Sequence, residues 1–316
     1  MLKRATPPAD AAVFSGLPIR TITSGSGSMN LAVHIHGDLS DATIPVLCLP
    51  GYLRNMADFA ALPTALNRLP GQSLCFILID LPGRGRSSRS PKNTAYSTLR
   101  DADCALDVLR ALDVPRAIVL GEGHGGQVAM VMAARQPLAI AGAVLADAGP
   151  VTDSRGLVRT RTNFRHLSGL RGQQVVTEAL RRIFATDYPD QTPARLDALA
   201  DRLYVPGPRG RVQPLFDPKL IEQLERFEVD DVFEPQWPLF DALAHAPLML
   251  VRTALTDQVR RATFDEMVRR RPDAALLTIS GQGSPALLDG AAELGALSAF
   301  LRDICQPRPA VADEPD

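Results

Sequence analysis

The sequence predicts an α/β fold: a mostly parallel sheet of eight strands with helices on both faces. Three observations carry that expectation. Short apolar runs bounded by Gly and Pro recur along the 316 residues, as strands buried on both faces require. Helical patterns separate them, which favours parallel crossover connections. The rhythm breaks once, from about residue 151 to 237, where arginine-rich amphipathic stretches replace it.

Taken in order, Ile19 to Thr23 and Asn30 to His36 predict an opening hairpin across Ser-Gly-Ser-Gly-Ser. Pro45 to Leu49, Ser73 to Ile79, Ala117 to Leu120, Ile140 to Leu145, Pro247 to Val251 and Ala275 to Ile279 predict the remaining strands. Helical periodicity marks Asp58 to Asn67, Leu99 to Leu112, Gly126 to Ala134, Phe264 to Arg270 and Ala291 to Ile304. The expected organisation is therefore a flexible tail over 1–17, a core over 18–150 and 238–305, and a helical insertion over 151–237. A second flexible tail, rich in proline and acid, is expected over 306–316. An insertion after the sixth strand lies over the strand ends where open parallel sheets bind ligands.

Hydrophobic content of 46% and charged content of 22% describe an ordinary globule long enough to bury a large core. A net charge of −1 gives no broad attraction to nucleic acid or anionic lipid, so neither is expected as a partner. Only Lys3, Lys92 and Lys219 are lysines among the 34 basic residues, a bias in keeping with a GC-rich genome. Cys48, Cys75, Cys104 and Cys305 have neither metal-ligand nor redox spacing and read as free thiols. No apolar leader or bilayer-length run is present, so a cytoplasmic location is expected, without cofactor or metal.

The most informative stretch is Ala117 to Gly126, Ala-Ile-Val-Leu-Gly-Glu-Gly-His-Gly-Gly, a buried strand running through a sharp turn into a helix. A nucleophile elbow, Gly-x-Ser-x-Gly, has this form, but its central position here is Gly123, which has no atom with which to attack. The same residues satisfy Gly-x-Gly-x-x-Gly at Gly121, Gly123 and Gly126, with Asp147 after the next apolar run. That is a formal dinucleotide fingerprint. It sits several strands into the chain, not on the first, and Glu122 would oppose a pyrophosphate if it faced inward. Dinucleotide binding is therefore the minor alternative.

Four further stretches resemble the α/β-hydrolase family, in particular its cap-bearing esterase and lactonase-like members. Leu49-Pro50-Gly51-Tyr52-Leu53-Arg54-Asn55 is similar to the loop that supplies one oxyanion N–H. Asp80-Leu81-Pro82-Gly83-Arg84-Gly85-Arg86-Ser87 is similar to the Asp-x-x-Gly-x-Gly-x-Ser turn. Asp147-Ala148-Gly149-Pro150 ends the sixth strand, and Pro247 to Asp257 resembles the strand and loop that deliver the triad acid. The likeness covers roughly residues 19 to 304 and makes the insertion a cap.

By that resemblance Gly123, Asp257 and Ser284 fall in the nucleophile, acid and histidine slots, so two of the three roles are vacant. Tyr52 and His124 would supply the oxyanion N–H groups. His124 is the candidate substitute base, and Glu122 and His166 are further candidate ligand-binding residues, His166 hanging from the cap. His34, His36 and His245 read as structural. The expected function is a pseudo-hydrolase that binds a small carbonyl-bearing or apolar ligand, or a protein partner, without efficient hydrolysis. The alternative is an ester or lactone hydrolase, or a lyase, using an unorthodox base such as His124.

Overall fold

Apolar runs without a polar face form the centre of the sheet. The computed structural model describes residues 11–305 apart from 26, 28, 41–43, 72, 92–93 and 208–211. The expected C-terminal tail and the first ten residues lie outside the described residues, as does most of the Pro-Gly-Pro-Arg-Gly stretch at 206–210.

The core contains β1 (Arg20–Thr23), β2 (Asn30–His36), β3 (Val46–Leu49), α1 (Leu62–Asn67), β4 (Phe76–Ile79), α2 (Thr98–Ala111), β5 (Ala117–Glu122), α3 (His124–Arg135) and β6 (Ile140–Ala146). The insertion holds α4 (Ser154–Ser168), α5 (Gln173–Asp187), α6 (Pro193–Asp201), β7 (Tyr204–Pro206), β8 (Val212–Pro214) and α7 (Lys219–Glu222). The chain returns through α8 (Trp237–Asp241), β9 (Leu248–Thr253), α9 (Arg261–Arg270), β10 (Ala275–Ile279) and α10 (Ala291–Cys305).

The eight strands lie in the order β1-β2-β4-β3-β5-β6-β9-β10. β2 is antiparallel to β1 and β4, and all later neighbours are parallel. Every residue of β3, β4, β5 and β6 is buried, and alternation along each strand feeds two cores. In β5, Ala117 and Val119 join the cluster under α2 and α3, while Ile118 and Leu120 join the cluster with α10. The expected α/β class, strand number and helical cap after the sixth strand are all present.

Several boundaries differ from the sequence expectation for identifiable reasons. Asp58 to Asn67 is not one helix. Asn55 caps a 3₁₀ turn at Met56–Phe59 by accepting from the Ala57 N–H at 3.0 Å, and Pro63 opens the separate α1. Helix α3 begins at His124, two residues before the expected start, because the elbow passes from strand to helix through Gly123 alone. Residues 12–17, expected within a flexible tail, are docked: Ala12–Phe14 form a 3₁₀ turn, and Phe14 and Leu17 are buried in the α10-side core.

The cap has its own apolar centre, in which Val176, Leu180, Phe184 and Tyr188 of the α5 region meet Leu196 and Leu199 of α6. It also holds the β7/β8 pair, which the helical pattern did not foretell. Backbone hydrogen bonds stitch it to the turn after β4: Gly85 N–H donates to Leu215 carbonyl at 2.6 Å and Asp217 N–H to Gly83 carbonyl at 2.7 Å. No helix among the described residues is long and apolar enough to cross a membrane.

Candidate active site

The elbow is built as its glycine spacing demands. Gly123 holds φ 51° and ψ −111°, a backbone region that glycine enters without steric penalty. A Cβ placed there would meet nothing within 4 Å, so the apex opens into free space. Just beyond it, a Cβ on Gly125 would overlap the Leu49 carbonyl, and one on Gly126 would overlap the Ala148 side chain. These glycines serve close packing of α3 against the sheet.

Asp147 is fully buried and accepts from the Thr253 N–H at 2.8 Å and the Thr253 hydroxyl at 2.7 Å. It is unavailable to a ribose, and the Glu122 carboxyl lies at the turn where a pyrophosphate would sit. The dinucleotide reading of Gly121 to Gly126 is thereby corrected: Gly121 and Gly126 and its acid are consumed by internal packing.

The loops after β3, β5 and β10 and the cap helices α4 and α5 enclose a cavity of about 100 Å³. Tyr52, Glu122, Gly123, His124 and Ser284 all line it, so five of the seven sequence candidates converge. Neither the Tyr52 nor the His124 backbone N–H has a backbone acceptor among the described residues beyond its own element, and His124, as the first residue of α3, has no intrahelical acceptor.

Glu122 faces inward. Ser284 donates its hydroxyl to Glu122 Oε1 at 2.5 Å, and Glu122 Oε2 packs so closely on Gly51 that a side chain at Gly51 would displace it. Burial pushes this carboxyl up to about 8; nearby Asp147 and Asp58 add to the rise, while the Ser284 hydroxyl and Arg54 oppose it. Glu122 is thus neutral through much of the physiological range.

Asp257 lies outside the cavity lining and is bound elsewhere. Arg159 of α4 brings its Nε to 2.5 Å from Asp257 Oδ2 and donates through Nη1 to Asp187 Oδ1 at 2.7 Å. Asp187 in turn accepts, through its backbone carbonyl, from the Gly283 N–H at 2.5 Å. Tyr188 donates to the Pro285 carbonyl at 2.5 Å, so the end of α5 braces the loop that carries Ser284.

The remaining candidates part company. α4 lines the cavity through Arg159, Thr160, Asn163 and Phe164, and His166, nearer the end of that helix, is exposed and lies outside the lining. Its expected role as a residue hanging into the pocket is corrected on that ground. His124 touches the elbow cavity, but its ring Nε2 lies 2.8 Å from Asp101 Oδ2 on α2, which commits that nitrogen. His34 rests its Nδ1 2.7 Å from the Pro18 carbonyl, and His245 bridges the Ala242 and Pro137 carbonyls at the surface.

Sequence reasoning missed Arg159 and Arg54. Arg54 forms a bidentate pair with Asp58 at 2.6 and 2.5 Å and lies 5.9 Å from the centre of the Phe184 ring. Arg54-x-x-x-Asp58 is visible as a spacing, but its burial is not. Among the described residues no group of three or more His, Cys, Asp or Glu side chains is arranged to hold a metal.

Comparison with known proteins agrees with this geometry. A family model described as the alpha/beta hydrolase fold matches residues 44–175. The structure of an alpha/beta hydrolase from Novosphingobium aromaticivorans is 30% identical, with a TM-score of 0.78, over 90% of this chain and 98% of that one. A putative hydrolase from Rickettsia typhi is 20% identical with a TM-score of 0.72 over 87% and 92% of the two chains, a likeness of fold. A curated serine hydrolase-like protein of Danio rerio is 34% identical over 103 residues, 33% of this chain. The chain matches only 30% of that relative's length.

Proposed function

This chain belongs to the α/β-hydrolase family, and on that premise we propose that it is a non-hydrolysing member, which binds a small carbonyl-bearing ligand in the elbow cavity and releases it unchanged. One observation carries the reading. The apex is Gly123, with open space where an attacking atom belongs, and the residue in the histidine slot, Ser284, donates a hydrogen bond to Glu122 and has no imidazole partner among the described residues. Loss of nucleophile or base removes on the order of 10⁴ to 10⁶ of rate. Retention of donors alone leaves a residual of roughly 10³ over water, too little for a working esterase.

The features left intact favour binding. Tyr52 and His124 line the cavity and their backbone N–H groups have no backbone acceptor among the described residues, which supports the pair as oxyanion donors, and neutral Glu122 offers a carboxylic acid to an incoming carbonyl. The test is a panel of p-nitrophenyl esters and lactones read against heat-inactivated protein. No turnover above that background is expected, and turnover that disappears in Glu122→Gln overturns the proposal. In the double variant Gly123→Ser with Ser284→His, ester cleavage is expected to stay at background until Arg159→Ala also frees Asp257 from its cap partner.

A second reading rests on Glu122 itself. A cavity carboxyl that titrates near 8 has the acidity of a general base, and it takes the part first assigned to His124, whose Nε2 is held by Asp101. In that case a proton-abstraction activity rises with pH through about 8 and vanishes in Glu122→Gln, while His124→Gln retains it.

A further inference from the structure

Arg54 stands beside the elbow with one nitrogen to spare. Only 8% of its surface is exposed, and its Nε and Nη2 are taken by the Asp58 carboxylate. Nη1, on the other side of the fork, has no hydrogen-bond partner among the described residues, yet it is not sealed within the protein. The side chain lines the elbow cavity, as does the Phe184 ring that its guanidinium carbon approaches. A guanidinium stays charged under all ordinary conditions, so a donor left over on this lining is a place for an acceptor.

The charges around Arg54 leave one positive charge over. Asp58 also faces Arg202, whose Nη1 lies 3.4 Å from Oδ1, so two guanidinium groups share one carboxylate. Glu122, raised to about 8, does not offset them at neutral pH. Across the cavity the balance is reversed, because Arg159 is matched by both Asp187 and Asp257. An anion is therefore favoured at the Arg54 end and not at the Arg159 end. Tyr52 belongs to the same turn as Arg54, closed by the Arg54 N–H on the Gly51 carbonyl at 3.1 Å. The Tyr52 N–H and the Arg54 guanidinium thus serve one small space.

We infer that the elbow ligand is a short 2-oxo acid, its carboxylate on Arg54 Nη1 and its adjacent carbonyl on the Tyr52 and His124 N–H groups. This rests on the binding reading above and adds a charge to its ligand. The cavity sets the size: at about 100 Å³ it is smaller than the roughly 150 Å³ that takes benzene, which limits the ligand to about six non-hydrogen atoms. One surplus charge suits a monocarboxylate. A second negative charge would find Asp187 on the same lining instead of a free cation.

The full-length chain is titrated calorimetrically with pyruvate and with pyruvamide, which share the carbonyl and differ in charge. The acid is expected to bind at least about tenfold more tightly, as one charge-assisted bond implies. Thr160→Trp, which fills the elbow cavity, is expected to abolish binding of the acid. Leu157→Trp, on the same helix but lining a neighbouring chamber, is expected to leave it in place. Arg54→Gln is expected to bring the acid down to the affinity of the amide. If that variant does not fold, because Asp58 loses its partner, the two ligands on the unaltered chain and on Thr160→Trp decide. Equal affinity for acid and amide overturns the inference and leaves a neutral carbonyl ligand in the elbow. Acid binding undiminished in Thr160→Trp, loss in Leu157→Trp instead, or a preference retained in Arg54→Gln overturns it as well. Absence of binding by either compound at millimolar concentration overturns it too, whereas ester turnover by the same protein counts only against the non-hydrolysing reading.

Discussion

At Gly123 the cost of a side chain is conformational alone, whereas two residues later it is steric. Gly123→Ala meets open space but must hold φ near 51°, so a loss of about 1 kcal/mol is expected in chemical denaturation. Gly125→Ala drives a Cβ into the Leu49 carbonyl and is expected to lose several-fold more, or to fail to fold. Glu122 makes a pH prediction. Its folded value of about 8 lies above the ordinary 4.5, so the unfolded chain sheds the proton first. The stability contributed by the neutral acid is complete below about 4.5 and is lost as pH rises through about 8. Asp80 and Asp147, raised to about 6 by burial, act in the same sense but at lower pH. Glu122→Gln is therefore expected to flatten the fall in melting temperature between pH 6 and 8 that the unaltered protein shows. At this scale the sequence made Gly123 and Ser284 legible, because each sits in a motif whose spacing is local. The bond between Ser284 and Glu122 was not, because it joins the end of β5 to a loop 162 positions away.

Among the elements, α4 decides how the cap meets the core. Its Asp153 cap accepts from the Arg155 N–H and also holds Arg260 of the core, and those arginines keep its carboxyl well below the usual range although burial opposes them. One turn on, Arg159 spans Asp257 of the core and Asp187 of α5. Arg159→Met is expected to speed amide hydrogen exchange in α4 and at the end of α5, while β5 and β6 stay protected. Unchanged exchange in α4 would show that the latch carries no cap stability. Strand positions were legible, since β3 to β6 are apolar on both faces and only a doubly covered sheet explains that. The reach of α4 and the start of α3 were not. His166 shares a helix face with Arg159 and Asn163 but stands near the end of α4, beyond the part that lines the cavity, and the start of α3 aims the His124 ring at Asp101 instead of the apex.

For the whole molecule, three apolar clusters divide the work: one on each face of the sheet and one within the cap. Phe14 lies in the second of them, and Arg86 stands 4.2 Å above its ring, so the first described residues close the sheet's α10 side. Phe14→Ala is expected to cost about 3 kcal/mol and to lower the thermal midpoint, a result a flexible tail would not give. That docking escaped the sequence because Phe14 and Leu17 form no periodic pattern of their own; their burial depends on a surface made by distant strands.

The vacancy above the elbow is also an address. Cys48, Cys75 and Cys104 are buried, and burial pushes the Cys75 and Cys104 thiols to about 11 and about 12, which leaves them inert to alkylation at neutral pH. A Gly123→Cys variant would place a single sulfur at the start of α3, where the helix terminus favours a thiolate. Iodoacetamide should mark that atom ahead of Cys48, Cys75 and Cys104, and with the unaltered protein as the baseline for the partly exposed Cys305, a series of bulkier reagents would then gauge, by where labelling stops, how wide a passage the cap leaves to the interior.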